Sequence, residues 1–245
     1  MGFYFVDWIT NLLLNFGFTT GDLWLVYVWV CDKDEEMWPI FSICLNKYWP
    51  NHPRVYLLTE TKTSPLIDTI CYNYPLNKWT TRIIKSLNDI KESKVVFICD
   101  DVFLNDYVNI DKLKYCLKIL DKEPNAAYIN FEMSFNYYDV FCQYNGFKKK
   151  TKDSDFRLSL LCGIWDKKKL IDILFNKEGS PWDVEDNGDI LKYDVYIVSD
   201  KKVLSWFRDG RAQYAACHNG KWSKDLPDFL IKEGLTMDLE KKGFY

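Results

Sequence analysis

The stretch KVVFICDD, residues 94–101, decides the fold class of this chain of 245 residues. Val95 to Cys99 form an uninterrupted apolar run, which is typical of a strand that is buried on both faces. Two adjacent aspartates follow the run at once. A strand buried on both faces indicates a sheet covered by helices, and the aspartates mark the carboxyl end of that strand.

The segments on either side alternate between strand-like and helix-like patterns. Strand-like runs cover residues 23–30, 54–58, 126–132, 193–198 and 203–207, and amphipathic helical patterns cover residues 35–49, 79–90, 111–120 and 160–175. Residues 148–155 and 176–189 are predicted to be loops, and Asn219-Gly220 predicts a tight turn. Alternating strands and helices predict an α/β domain with a mostly parallel central sheet flanked by helices.

The length, charge and cysteine content favour one reduced, globular domain. We predict a single domain over residues 1–245, because this length is marginal for two domains and no repeat or linker divides it. The formal net charge of -3 gives no overall attraction to nucleic acid or to an anionic membrane. The eight cysteines show no C-x-x-C spacing, and several lie in apolar runs, which predicts free thiols in a cytoplasmic protein.

Residues 1–21 form an N-terminal amphipathic segment. Phe5, Trp8, Leu12 and Phe16 recur at helical spacing, while Asp7 and two asparagines interrupt the apolar character. We therefore predict neither a signal peptide nor a membrane-spanning helix here. Docking on the domain core is the simplest interpretation, and contact of residues 3–18 with a membrane surface or a second copy is the alternative.

Acidic residues follow three of the predicted strands, namely Asp32, Glu60 and the pair Asp100-Asp101. Ligands of open α/β sheets bind beyond the carboxyl ends of the strands. An unpaired charge at a buried strand end is costly, and a divalent cation bound by carboxylate and diphosphate oxygens would offset that cost. The alternative is that the aspartates only form a turn or cap a helix. The acidic pair alone leaves both interpretations open.

Three ordered motifs carry a family resemblance. WTTR (79–82) leads to VVFICDDVFLND (95–106), SLLCGIWDKKKL (159–170) leads to SPWDVE (180–185), and HNGKW (218–222) follows. Together they resemble A-type glycosyltransferases, which use nucleotide-sugars, and in particular a bacterial surface-polysaccharide family with D-D-x-F-L and S-P-W-x-x-E motifs. The resemblance implies a Rossmann-like A-type fold, with a nucleotide-sugar-binding half at 23–134 and an acceptor-binding half at 135–245. In the usual D-x-D metal motif of these enzymes the first acid would stand where this chain has Cys99.

The resemblance also implies roles for individual residues. Asp101 and His218 would bind Mn²⁺ or Mg²⁺ at the leaving diphosphate. Glu185 would be the general base, with Asp183 as the alternative base, and the rings of Trp182 and Trp165 would contact the acceptor. Burial beside Trp182 would raise the pKa of Glu185. The implied nucleotide-sugar contacts are Asp32, Glu60, Trp79, Arg82, Asp100, Arg211 and Lys221. Without the resemblance, the acids at 183–186 would be interpreted as a solvated surface loop.

The predicted activity is transfer of a sugar from a nucleoside-diphosphate sugar to an acceptor hydroxyl, with inversion if Glu185 is the base. A UDP-sugar is the commonest donor for this fold, and a bacterial surface glycan is the acceptor that the resemblance implies. Three alternatives stay open. A phage-encoded transferase could act on a modified DNA base, although the acidic pI disfavours it. A metal-dependent phosphohydrolase would use paired aspartates, although the chain has only two histidines and no second acidic cluster. A noncatalytic carbohydrate-binding module is compatible with the incomplete D-x-D motif.

Overall fold

The structure is a computed structural model, and it describes residues 24–75, 77–132, 138–187, 190, 192–210 and 215–245. The predicted amphipathic segment at 1–21, with its suggested contact through residues 3–18, lies outside the described residues. Among the helices that are described, none is both long enough and apolar enough to cross a bilayer.

Strands and helices alternate along most of the described chain. The strands are β1 (Trp24–Trp29), β2 (Val55–Thr59), β3 (Asp68–Cys71), β4 (Lys94–Cys99), β5 (Leu104–Asp106), β6 (Ala126–Asn130), β7 (Val140–Phe141), β8 (Phe147–Lys149), β9 (Cys162–Asp166), β10 (Asp194–Val198), β11 (Ser205–Trp206), β12 (Cys217–His218) and β13 (Lys221–Trp222). The helices are α1 (Met37–Tyr48), α2 (Trp79–Asp89), α3 (Ile110–Lys122), α4 (Lys167–Leu174), α5 (Pro181–Asn187) and α6 (Leu226–Glu233).

A nine-stranded sheet with the order β3-β2-β1-β4-β9-β6-β10-β8-β7 forms the centre of the domain. The pairs β3-β2, β2-β1, β1-β4 and β6-β10 are parallel, and β9 runs antiparallel between β4 and β6. The predicted fold class, an α/β domain with a mostly parallel central sheet flanked by helices, is confirmed.

Strands β1 and β4 lie at the centre of the sheet because their side chains are apolar on both faces. Every residue of β4 is buried, and so are Leu25 to Trp29 of β1. Tyr27 of β1 stacks on Phe97 of β4, with 5.5 Å between the ring centroids. The register places Trp29 beside Cys99, so the two strands end at the same level. Residues that follow β1 and β4 therefore meet at one edge of the sheet.

The predicted secondary structure was wrong in two segments. Residues 160–175 form strand β9 and then helix α4, rather than one helix, because a continuous buried apolar run fits either structure and pairing with β4 and β6 decides for the strand. Residues 176–189 contain helix α5 rather than only a loop. Ser180 and Asp183 cap its first turn reciprocally, with the Ser180 amide donating to Asp183 at 2.7 Å and the Asp183 amide donating to Ser180 Oγ at 3.3 Å.

Smaller differences concern the ends of the chain's short strands. Strand β8 takes up residues 148 and 149 of the predicted charged loop, and only Ser205 and Trp206 of the predicted strand at 203–207 pair as β11. The predicted tight turn is present between β12 and β13. Asn219 and Gly220 have φ values of 50° and 71°, which a two-residue hairpin turn of this type requires.

A buried ion pair ties the ends of β1 and β2 to helix α2. Arg82 has 0% of its side chain exposed, forms an ion pair with Glu60 and donates to the Val30 carbonyl at 3.1 Å. Asp32 accepts hydrogen bonds from the backbone amides of Glu60, Thr61 and Lys62 at 2.8 to 3.1 Å. Burial alone would raise the pKa of Asp32, but hydrogen bonds from Thr61 and Glu60 hold it at about 2. These groups fix the loops beyond both strands.

Substitution of Arg82 by Ala is expected to lower the free energy of unfolding by about 3–5 kcal/mol, because it leaves the partly buried Glu60 carboxylate without its cation. The measurement is urea unfolding at neutral pH. The matched control is Arg54→Ala, since Arg54 has 63% of its side chain exposed and lies 4.0 Å from Asp68. Loss of that exposed pair is expected to cost less than about 1 kcal/mol. Equal losses in the two variants would contradict a structural role for Arg82.

Candidate functional site

A cavity of about 240 Å³ lies at the sheet edge where β1 and β4 end. The residues that follow β1 contribute Cys31 and Asp34, and the end of β4 contributes Cys99, Asp100 and Asp101. Helix α5 contributes Trp182, and the β12–β13 hairpin contributes Cys217 and the turn residues Asn219 and Gly220. Four distant parts of the chain therefore meet around the acidic pair.

Both aspartates reach the same cavity because the chain turns as it leaves β4. The Val102 amide donates to the Cys99 carbonyl at 3.2 Å, which closes that turn. Asp100 is 3% exposed and Asp101 is 8% exposed. One ligand atom from each of Cys99, Asp100 and Asp101 lies within 4.8 Å of the others. The alternation of a regular strand, which would have separated the two carboxylates, does not apply here.

The two carboxylates are only partly satisfied by hydrogen bonds. Asp100 accepts from the Trp38 indole at 3.2 Å and weakly from the Cys99 thiol at 3.5 Å. Asp101 accepts from the backbone amide of Cys217, while its Oδ1 atom is buried without a hydrogen-bond partner. A buried carboxylate oxygen without a partner costs free energy. Such an oxygen beside a second carboxylate fits a bound cation.

The electrostatics of the pair reflect the same burial. Burial raises the pKa of Asp101 to about 6, although hydrogen bonds from Cys99 and Cys217 oppose the rise. Burial raises the pKa of Asp100 well above its usual range, and the neighbouring charges of Asp101 and Asp34 add to the rise. A divalent cation would reverse this situation, because it favours the ionised form of both carboxylates. The donor set therefore fits a divalent cation held by Asp100 and Asp101.

A second polar group lies beside the cavity and is built around Glu185 of helix α5. Glu185 Oε1 accepts from the Leu160 amide at 2.5 Å, and the Leu160 carbonyl accepts from the Trp29 indole at 2.9 Å. Trp29 lines the cavity, so Glu185 is connected to the cavity wall through one residue. Burial raises the pKa of Glu185 to about 7, against the effect of the Leu160 amide and with the help of the Glu132 charge.

Several residues of this region were not predicted from the sequence. Glu132 accepts from the Ser159 hydroxyl at 3.1 Å and pairs with Arg208 at 3.3 Å. Glu132 ends a predicted strand and Arg208 follows another, so the strand-end rule that identified Asp100 could have found both. Cys31 and Cys217 line the cavity, but apolar surroundings gave no sign of that in the sequence.

Three predicted contact residues are corrected by their burial. Trp79, Arg82 and Trp165 each have 0% exposure and cannot touch a nucleotide-sugar or an acceptor directly. Trp79 packs edge-on against Trp29, and Trp165 stacks on Tyr128 with ring centroids 3.8 Å apart. Arg82 is likewise held inside the protein, by Glu60 and the Val30 carbonyl.

Four further predicted residues are not part of the cavity lining, namely Asp32, Glu60, Asp183 and Lys221. The carboxylates of Asp32 and Glu60 are engaged by the backbone and by Arg82. Asp183 caps α5, and its hydrogen bonds with Ser180 lower its pKa, which does not suit a base. Lys221 is exposed on β13, and Arg211 lies outside the described residues.

His218 lies on β12 between cavity residues. A ring nitrogen of His218 is 3.1 Å from the Asn219 amide nitrogen, and the ring packs edge-on against Tyr245. In the described part of the chain, the cluster with metal-binding spacing comprises Cys99, Asp100 and Asp101. Cys99 is therefore part of this cluster, and the predicted ligand His218 is not.

Neither a protein-family model nor a curated protein matches the sequence. Among solved structures, TarS 1–349 of S. aureus in complex with UDP-GlcNAc is similar at 15% identity and a TM-score of 0.49, over 79% of this chain and 62% of the TarS 1–349 chain. A cytidylyltransferase from Leptospira borgpetersenii is similar at 11% identity and a TM-score of 0.44, over 86% and 94% of the two chains. The bifunctional IspDF from Campylobacter jejuni is similar at 11% identity and a TM-score of 0.40, and this chain spans about half of it, 51%. Likenesses this distant do not identify a substrate.

Replacement of Asp101 by Asn tests whether the Asp101 carboxylate binds a ligand or serves only as a turn residue. A pKa raised from 3.8 to about 6 means that the folded state binds the proton more tightly. The contribution of Asp101 to stability is therefore fully present below 3.8 and is lost as the pH rises through 6. Without metal, Asp101→Asn is expected to be more stable than the wild type by up to about 3 kcal/mol near pH 8, and by much less near pH 4.

Urea unfolding in the presence of a chelator measures this difference. The matched control is Asp183→Asn, which removes a carboxylate whose pKa is lowered by hydrogen bonds from Ser180 and is expected to lose stability near pH 8. If Asp101→Asn lost stability as Asp183→Asn does, Asp101 would be a structural turn residue and the cation site would be contradicted.

Proposed function

We propose that this protein is a glycosyltransferase that moves a sugar from a nucleoside-diphosphate sugar to an acceptor hydroxyl. The observation that carries the proposal is the composition of one cavity. A buried acidic pair with an unpartnered Asp101 oxygen forms one wall, and Trp182 forms another. The helix that presents Trp182 also carries Glu185, one turn further on, with a pKa of about 7.

The acidic pair supports binding of a nucleoside diphosphate. Asp100 and Asp101 would hold Mn²⁺ or Mg²⁺, and such a cation stabilises the negative charge that develops on a leaving diphosphate. Lys33 also lines the cavity and adds a positive charge close to that position. Contacts of Arg211 and Lys221 with phosphate oxygens, and metal binding by His218, remain proposals from the sequence.

Trp182 supports binding of a sugar. Its side chain is 58% exposed although it lines the cavity, so one part of the ring is available to a ligand. Exposed indole faces stack on the apolar C–H surface of sugars. Since Trp182 and Asp101 border the same space, a sugar stacked on the ring and a diphosphate at the acidic pair would belong to one donor or to adjacent substrates.

Glu185 is proposed as the general base that takes the proton of the attacking hydroxyl. The hydrogen bond from the Leu160 amide orients the carboxylate, and partial burial brings its pKa close to neutral pH, where a base works best. Direct attack assisted by this base gives inversion at the anomeric carbon. Asp183 is less suited, because capping of α5 engages its carboxylate.

The donor is proposed to be a UDP-sugar and the acceptor a hydroxyl of a bacterial surface glycan, as the motif resemblance implies. A phosphohydrolase with two metals would need a second ligand cluster. No second cluster of that kind is found among the residues that the structure describes. A binding module without catalysis would not need a half-buried carboxylate with a near-neutral pKa beside the cavity.

Binding of the donor is expected to depend on both the metal and Asp101. A UDP-sugar with Mn²⁺ should stabilise the wild-type protein by about 2.7 kcal/mol at a hundredfold excess over Kd, because only the folded state binds. Thermal unfolding with and without a chelator measures the effect, and Asp101→Asn should remove it. Asp183→Asn is the control that should keep it. Stabilisation that persists in the chelator and in Asp101→Asn would contradict the proposed donor site.

The rate of transfer is expected to rise with pH and to level off above about pH 7, because the Glu185 base must be deprotonated. Glu185→Gln should lower kcat by about 10²- to 10⁴-fold without weakening donor binding. The control is Asp186→Asn on the same helix, since loss of that neighbouring charge should move the midpoint to lower pH and leave the plateau rate intact. Full turnover by Glu185→Gln would rule out this base.

A further inference from the structure

Three of the eight cysteines line the cavity that holds the acidic pair, namely Cys31, Cys99 and Cys217. One of them, Cys99, also belongs to the cluster of closely spaced ligand atoms. We infer that Cys99 is a ligand of the cation held by Asp100 and Asp101, and that the site therefore selects a thiophilic divalent cation of the class of Zn²⁺ or Co²⁺ over Mg²⁺. The inference deepens the proposed function and rests on it for taking the cavity to be the donor site.

The spacing of the three side chains supports a shared cation. Ligand atoms held about 2.0–2.3 Å from one cation lie within about 4.5 Å of each other. The sulfur of Cys99 and one oxygen each from Asp100 and Asp101 lie within 4.8 Å of one another. The three donors are therefore already close to the spacing that a shared cation requires.

Two further observations point to a ligand rather than to a closed network. Asp101 Oδ1 is buried without a hydrogen-bond partner, and the Asp101 side chain borders the cavity. The Cys99 thiol faces both carboxylates, with a long contact of 3.5 Å to Asp100 and a hydrogen bond to Asp101. Both atoms would gain a strong partner from a cation between them.

The chemistry of the sulfur sets the metal preference. Mg²⁺ demands an octahedral set of oxygen ligands, whereas thiolate ligands favour Zn²⁺ and other softer cations. Mn²⁺ lies below Co²⁺ and Zn²⁺ in the usual order of affinities. On coordination the Cys99 thiol proton is released to solvent, so that sulfur binds as the thiolate. A sulfur at this position thus gives the site a different metal preference from that of a site with three carboxylates.

The test is titration of the metal-free full-length chain with Co²⁺, read by absorption and by calorimetry. Thiolate ligation gives a sulfur-to-cobalt charge-transfer band in the near ultraviolet, whereas carboxylate ligation does not. The wild type should show this band, and Zn²⁺ should remove it far more effectively than Mg²⁺. Cys99→Ser should lose the band and bind Co²⁺ at least about tenfold more weakly, since even outer partners of metal ligands are worth about 10- to 100-fold.

The cysteines that share the cavity but not the cluster supply matched controls. Cys31→Ser and Cys217→Ser should keep the band and the affinity of the wild type. Cys99→Asp should bind Co²⁺ without the band and gain affinity for Mg²⁺, which also covers the case that Cys99→Ser does not fold. The inference would be overturned if the band survived in the Cys99 variants, or if the wild type bound Co²⁺ without a band. It would also be overturned if an equal concentration of Mg²⁺ displaced Co²⁺ from the wild type, or if the wild type bound no Co²⁺.

Failure of the inference and failure of the proposed function can be told apart in the same samples. A band that depends on Cys99, together with no stabilisation by any UDP-sugar, would uphold the cation site and contradict the glycosyltransferase. Stabilisation by a UDP-sugar with Mg²⁺ that is unchanged in Cys99→Ser would uphold the proposed donor site and overturn the role of Cys99.

Discussion

Desolvation of two adjacent carboxylates at the end of a fully buried strand is the constraint on which the site depends. Strand β4 is buried along its whole length because apolar side chains cover both of its faces, and the chain turns immediately after it. Asp100 and Asp101 are thereby held in a poorly hydrated place that raises the pKa of both carboxyl groups. Stability alone gives no reason to keep them there, since neutral turn residues would avoid the cost of burying charge.

Several acids around the cavity have cationic partners, whereas Asp100 and Asp101 have none among the described residues. Lys242 lies between Asp34 and Glu36, at 2.6 and 2.7 Å. Arg82 pairs with Glu60, and Arg208 pairs with Glu132. Within the part of the chain that is described, no lysine or arginine forms an ion pair with Asp100 or Asp101. The fold thus neutralises Asp34, Glu36, Glu60 and Glu132 with cationic side chains and leaves the position between two carboxylates and a thiol for a cation from solution.

The sequence predicted the features that depend on local pattern. Residues 94–101 indicated a buried strand followed by an acidic turn, and Asn219-Gly220 indicated the hairpin turn, because both signals are contained in a few adjacent residues. The segment at 160–175 was misassigned, since only its antiparallel pairing with β4 and β6 distinguishes a buried strand from a buried helix. The orientation of the Trp79 and Trp165 side chains could likewise not be predicted from the sequence, because a motif marks a position in the chain without giving the direction of its side chain. Cys99 was interpreted as a buried apolar residue of the strand and as the replacement of an expected acid. Its place in the cluster follows from the turn that brings its sulfur to the carboxylates.

The central claim is that the carboxylates of Asp100 and Asp101 bind a divalent cation that meets a nucleoside diphosphate in the cavity. Anomalous X-ray diffraction from crystals grown with Mn²⁺ and UDP tests it most directly, because the scattering locates the metal independently of any assay. The account predicts an anomalous peak within about 2–2.5 Å of carboxylate oxygens of the pair, with the diphosphate on its cavity side. A peak at another site, or well-ordered UDP in the cavity with no metal beside Asp101, would contradict it.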